Sequence, residues 1–154
     1  MKAVSNSSPL IFLGKVDALP LLAECFQSVS VPDAVMDELR GQLLPEFIKT
    51  HTLSVEGQGF VEGALGRLHR GELAAMRLAL EQRADLLLMD DLAARQKASR
   101  LGLKVMGTLG VLLLANHRGL MPREKVLNLI DRLRHQHNLY LAEPLALKIT
   151  AALH

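Results

Sequence analysis

The run LLLMDD, residues 86–91, sets four apolar residues directly against two aspartates. A buried strand is a costly place for a charge, so Asp90 and Asp91 belong where a strand emerges. In a parallel α/β sheet that place is the carboxyl edge, where ligands bind. Other oxygen side chains fall at comparable positions. Asn6 and Ser7 follow the first apolar run, and Glu72 opens a helical pattern, where the helix dipole favours an anion. Glu38 stands near the end of another helix, where the dipole does not favour it, and its ordinary role would be a solvated surface acid. Carboxylates brought together repel, and a hard divalent cation is the usual remedy. Oxygen side chains at a strand edge also suit Mg²⁺ held partly through substrate phosphate.

Other motifs carry less. Gly57, Gly59 and Gly63 do not make a dinucleotide fingerprint. Gly66 and Gly71 have phosphate-loop spacing, but Glu72 stands where that loop needs Lys. Ser5, Ser7 and Ser8 have no nucleophile-elbow context. His135 and His137 point to different faces of a helix and read as surface groups. Cys25 is the only cysteine, which excludes an internal disulfide and a thiolate cluster and suits a reducing compartment. It is expected to be buried.

Several elements must position the acids. Ala3–Ser5 reads as a first strand, and Ser8 with Pro9 as a helix start. A helix is expected over Leu19–Phe26, a strand over Ser28–Val31, and a helix from Pro32 to Arg40 with Gly41 as its stop. His51–Val55 reads as a third strand. Residues 56–71 are glycine-rich and read as a turn-rich connection with at most a short helix. Glu72–Arg83 has the clearest helical spacing, with Leu73, Met76, Ala79 and Leu80 on one face. Leu86–Met89 and Leu103–Met106 read as strands, with a helix Asp91–Leu101 between them. Thr108 is placed as the cap of a helix ending near His117. Pro122–Gln136 and Pro144–Leu153 complete the helices. This alternation predicts a three-layer α/β/α sandwich around a parallel sheet, as one domain over residues 1–154.

The composition agrees. Apolar residues make up 49 % and aromatics only 3 %, an aliphatic globular chain rather than a disordered one. No run reaches the roughly 18 apolar residues of a membrane span, and Pro9–Leu13 is too short for a signal-peptide core, so a cytoplasmic protein is expected. The formal charge of +2 hides an asymmetry. Residues 1–91 carry 8 Lys/Arg against 13 Asp/Glu, and residues 92–154 carry 10 against 3. An acidic half can hold cations and a basic half can attract phosphate.

Six segments in order resemble one family: VSNSSPLI at 4–11, VPDAVMDEL at 31–39, RGELAAMRLAL at 70–80, ADLLLMDDLAAR at 84–95, GLKVMGTLGVLL at 102–113 and DRLRHQHNLYLAEPLA at 131–146. The chain is similar to PIN-domain proteins of a VapC-like subfamily. The resemblance implies Mg²⁺- or Mn²⁺-dependent cleavage of RNA, often as the toxin of a toxin–antitoxin pair. It places the family's second acid on Glu38, the third on Glu72, and the fourth on Asp90 or Asp91. The first acid falls on Asn6, with Ser7 at the neighbouring hydroxyl position and Thr108 near the metal edge. An asparagine carbonyl can still ligate a cation, but the site loses one negative charge. A PIN-like module that binds RNA or an antitoxin with weak or lost nuclease activity is therefore the alternative.

On this reading the cation lowers the pKa of a bound water and stabilises charge on the scissile phosphate. Arg95, Lys97, Arg100 and Lys104 are expected along the RNA backbone. With only Tyr140 and four Phe, base stacking is not expected to dominate the grip. The aliphatic run at Leu109–Leu114 needs cover on several sides and predicts a homodimer.

Overall fold

Val4, Val29, Val31, Leu87 and Leu88 have no exposed surface, as strands covered on both faces require. The computed structural model describes residues Met1–His154. Its strands are β1 (Lys2–Ser5), β2 (Ser28–Pro32), β3 (Ile48–His51), β4 (Leu86–Leu88) and β5 (Val105–Met106). They form one parallel sheet in the order β3-β2-β1-β4-β5. Ala3 pairs with both Val29 and Leu86, so β1 is the centre of the sheet.

The chain steps outward from β1 to β2 and β3, then returns across β1 to β4 and β5. Right-handed crossovers in the two directions fall on opposite faces. Helices α1 (Ser7–Lys15) and α2 (Pro20–Cys25) lead into β2, and α3 (Asp33–Glu38) follows it. Helices α4 (Val55–Ala64) and α5 (Arg70–Gln82) precede β4, and α6 (Leu92–Arg100) links β4 to β5. The chain ends in α7 (Thr108–His117), α8 (Arg123–Gln136) and α9 (Glu143–Ala152). Helix α5 packs on β1, β2 and β4 and carries α4, while α1 and α2 pack with α7, which α8 backs. The result is the three-layer α/β/α arrangement expected from the sequence, around a cluster of 36 buried residues. Cys25 lies in that cluster, and burial pushes its thiol pKa up. No helix is long and apolar enough to cross a membrane.

Four expectations need correction. The third strand is Ile48–His51 rather than His51–Val55. It is an edge strand in which only Ile48 is buried, so it has no alternation for the sequence to display. Residues 56–71 are not mainly turns, because α4 occupies Val55–Ala64 and is capped by Ser54, whose Oγ accepts the Gly57 N–H at 2.9 Å. Val61 and Phe60 pack against Leu73 and Ala74 of α5, and that contact overrides the poor helix propensity of the glycines. The last strand is shortened to Val105–Met106, because the Leu103 N–H closes the end of α6 on the Ala98 carbonyl at 3.1 Å. Finally, Ser8 and Thr108 do not cap helices. The N-cap positions are Asn6 and Gly107, which leaves both hydroxyls free for the contacts described below.

Helix α7 finds much of its cover within the chain, from α1, α2, α8 and β5. Val111, Leu112 and Ala115 are buried, while Leu109, Leu113 and Leu114 are half-buried.

Candidate functional site

Beyond Ser5 and Leu88 the chain leaves the sheet, and the Asn6 N–H donates to the Leu88 carbonyl at 2.9 Å. This bond ties the ends of β1 and β4 together where the strand order reverses, the point at which open α/β sheets leave a crevice. A cleft of about 630 Å³ opens there, lined by Asn6, Ser7, Glu38, Glu72, Asp90 and Asp91. The structure thus brings the sequence-derived acids and Asn6 to one place.

Asn6 is the N-cap residue of α1, with φ −78° and ψ 172°. Asparagine is a preferred capping residue, yet here its side chain makes no capping bond. It is only 6 % exposed, and its Oδ1 has no hydrogen-bond partner. A buried polar atom without a partner is uncommon and calls for a physical reason.

Asp90, two residues beyond the end of β4, is held from three sides. The Thr108 N–H donates to Oδ1 at 2.7 Å, and the Thr108 hydroxyl to Oδ2 at 2.7 Å. The Ser8 hydroxyl adds a bond to Oδ2 at 3.1 Å. A Cβ on Gly107 would stand 2.9 Å from Oδ1, so the glycine is what lets the carboxylate approach the start of α7. Thr108 is fully buried. Its N–H and hydroxyl are both committed to Asp90.

Glu38 receives the Ser7 hydroxyl at 2.5 Å. Its carboxylate sits where a side chain at position 71 would be, since a Cβ on Gly71 would collide with Glu38 Oε1. Asp91 is exposed and caps α6, accepting the Ala94 N–H at 3.0 Å. Glu72 lies in the first turn of α5, whose N-cap is His69. Burial pushes the Glu72 pKa up, the charges of Asp91 and Glu38 push it further, and the backbone N–H and charge of His69 act against them. Glu72 Oε2 is buried and has no partner.

The basic residues separate. Arg95 and Arg100 line a shallow groove with Leu92, and Leu92 also lines the acidic cleft. Lys97 is not part of this groove. Lys104 lies beside Met1 and Asp85, before β5. It is therefore removed from the expected RNA track, because it enters its strand at the end opposite the cleft.

The donor set is all oxygen, as a hard cation prefers, and two of its oxygens, on Asn6 and Glu72, are buried and bare. No three carboxylate, His or Cys side chains gather closely enough to ligate one ion together. Mg²⁺ does not require such a cage, being held commonly by one or two carboxylates with water and substrate phosphate. The residues fit a cation bound in that way.

The cleft also contains His69, Phe12, Leu92, Leu139 and Tyr140, none of which the sequence singled out as site residues. His69 immediately precedes the RGEL segment and could have been noticed there. Leu139 and Tyr140 are separated from every acid of the cleft by long stretches of chain and carry no spacing signal.

Gly71→Ala is expected to leave thermal stability unchanged or raise it by up to about 1 kcal/mol, because alanine favours a helix. It should displace the Glu38 carboxylate and weaken Mn²⁺ binding. Calorimetric titration checks this, and unaltered affinity would remove Glu38 from the metal site. A second expectation concerns Glu72 in chelator. A folded carboxyl with a raised pKa contributes stability below its ordinary value of 4.5 and loses it as pH rises through the raised value. Glu72→Gln should therefore melt higher than the parent at neutral pH, with the gap closing below pH 4.5. A gap that does not vary with pH would mean that ionisation of Glu72 is not its cause.

Comparison with known proteins adds the family. The profile of the family DUF3368, described as a PIN domain, matches residues 2–154. The fold is similar to that of a PilT N-terminus domain protein from the hyperthermophilic archaeon Sulfolobus solfataricus P2. The TM-score is 0.56 and the identity 18 %, over 72 % of this chain and 90 % of that one. No curated protein matches the chain. PIN domains are a nuclease-type fold, generally metal-dependent, and their proteins commonly bind nucleic acid. A profile match over nearly the whole length, on a sheet whose order reverses beside an acidic crevice, shows that this chain belongs to the PIN-domain family.

Proposed function

We propose that the cleft hydrolyses RNA phosphodiester bonds with Mg²⁺ or Mn²⁺, as a ribonuclease of the toxin–antitoxin type. The observation that carries this reading is the pair of buried, unpartnered oxygens, Asn6 Oδ1 and Glu72 Oε2, in one acidic cleft. Leaving them bare is costly, and a cation would relieve that cost together with the repulsion of the carboxylates.

Asn6, Glu38, Glu72 and one or both of Asp90 and Asp91 would hold the cation. When bound, it supplies a water of lowered pKa and charge stabilisation at the phosphate. Ser7 orients Glu38, and Ser8 and Thr108 fix Asp90. The carboxylates place the cation, and one of them accepts the proton of the attacking water. Arg95 and Arg100 contact the RNA backbone, and Ser7 lies close enough to the acids to meet the substrate phosphate. A protein antitoxin and a homodimer, formed through the half-buried leucines of α7, belong to the same reading. Light scattering at micromolar concentration should give twice the chain mass, and a monomer throughout that range would exclude the dimer.

A second reading, binding without turnover, is favoured by Asn6 standing where the family has an acid and by the lack of a compact three-carboxylate group. One set of assays separates the two. The protein should cleave RNA only with Mg²⁺ or Mn²⁺, and Asp90→Asn should lower the rate by at least about 100-fold, since even the residues supporting metal ligands are worth 10–100-fold. Asn6→Asp should tighten metal binding and raise the rate. In chelator it should melt lower than the parent, and added Mg²⁺ should recover the difference. RNA binding without cleavage in either protein would establish the second reading.

A further inference from the structure

We propose that Tyr140 is a stacking platform for an unpaired nucleobase at the mouth of the acidic cleft, which selects single-stranded over duplex RNA. This deepens the proposed function and rests on it for the class of polymer.

Tyr140 is the only tyrosine in the chain and is 88 % exposed. It nevertheless lines the cleft beside Leu139, Phe12 and Leu92. It is also held in place from both sides. The chain leaves α8 through Asn138, in the left-handed region with φ 59°, and the Leu139 N–H donates to the Leu133 carbonyl at 2.9 Å. On the other side Leu141 is buried, and its carbonyl accepts Arg134 Nη2 at 3.2 Å. The ring is thus presented to solvent by an anchored segment, so little ordering cost remains when a ligand covers it.

Its surroundings indicate the ligand. The acidic floor of the cleft, the apolar lip and the groove of Arg95 and Arg100 are continuous, with Leu92 shared between cleft and groove and itself 68 % exposed. Neither arginine forms an ion pair within the chain. A nucleotide chain matches all three surfaces, with phosphates for the arginines, a phosphate bridging to a cation, and a flat base for the ring. Only an unpaired base can offer its face, because bases within a duplex are already stacked on each other.

The chain contains no tryptophan, so its tyrosine emission reports Tyr140 alone. The test uses a single-stranded RNA oligonucleotide, the same oligonucleotide with abasic riboses, and a duplex, all without divalent metal so that none is cleaved. Single-stranded RNA should quench the emission, after correction for absorbance, and the abasic strand should not. Tyr140→Ala should bind the single strand roughly tenfold more weakly, and Tyr140→Phe within about twofold of the parent, the range expected for one aromatic–base stack. Duplex binding should not change. Equal single-strand affinity in Tyr140→Ala, or equal losses for all three ligands, would overturn the proposal. An emission that no RNA alters would also overturn it. The nuclease reading fails separately: Tyr140-dependent binding without metal-dependent cleavage removes that reading and leaves the stacking intact, whereas cleavage that ignores position 140 does the reverse.

Discussion

Bringing carboxylates to one edge of a buried sheet is the constraint on which the rest of this site depends. Four acids and a buried asparagine share a single cleft, and each must be held there against the others and against the tendency of charge to seek water. The sheet order makes the gathering possible. Because β1 is paired on both sides and the crossovers reverse about it, the ends of β1 and β4 form a notch that no helix fills. The Asn6–Leu88 backbone bond keeps that notch at a fixed width.

The acids are then fixed by donors supplied from separate elements. Asp90 is tied to α7 through Thr108 and to α1 through Ser8. Glu38 is tied to α1 through Ser7, and Asp91 to the first turn of its own helix. These donors do not merely neutralise charge; they specify direction, since each carboxylate retains only a limited set of free lone pairs. Two glycines complete the arrangement by being absent as side chains. Gly71 makes room for Glu38, and Gly107 for Asp90. Stability and site geometry are therefore linked: the first turns of the helices that cover the sheet are the same turns that aim the acids.

What the sequence discloses follows from how strongly each element depends on its own residues. LLLMDD and the helix at Glu72 were legible because a fully buried strand and an amphipathic helix impose patterns on their own residues. The edge strand β3 has one buried side chain and left no pattern. Helix α4 is stabilised from outside, by α5 and by the Glu81 carboxylate, which accepts the Ser54 N–H at 3.0 Å and packs where a Gly57 Cβ would lie. Its glycines hence look like turns when read alone. The acids were legible as types near strand or helix ends, but the hydroxyls that fix them were misread as caps, because a Ser or Thr at a helix start looks the same whether its hydroxyl serves its own helix or a distant carboxylate. His69 and Tyr140 were invisible as site residues because only the tertiary fold brings them to the cleft.

Asn6 connects these threads. An acid at this position would add a fifth negative charge to the cleft of Glu38, Glu72, Asp90 and Asp91, at a point only 6 % exposed. Water could do little to screen it there. Asparagine keeps a side-chain oxygen at this position while avoiding that charge. The fold is thereby spared one buried repulsion, and a cation bound as proposed above would meet one negative charge fewer. Burial raises the Glu72 pKa, and the charges of Asp91 and Glu38 act in the same direction. An acid in place of Asn6 would add to that repulsion, whereas the amide keeps the charge of the cleft lower and leaves two buried oxygens, Asn6 Oδ1 and Glu72 Oε2, without a partner.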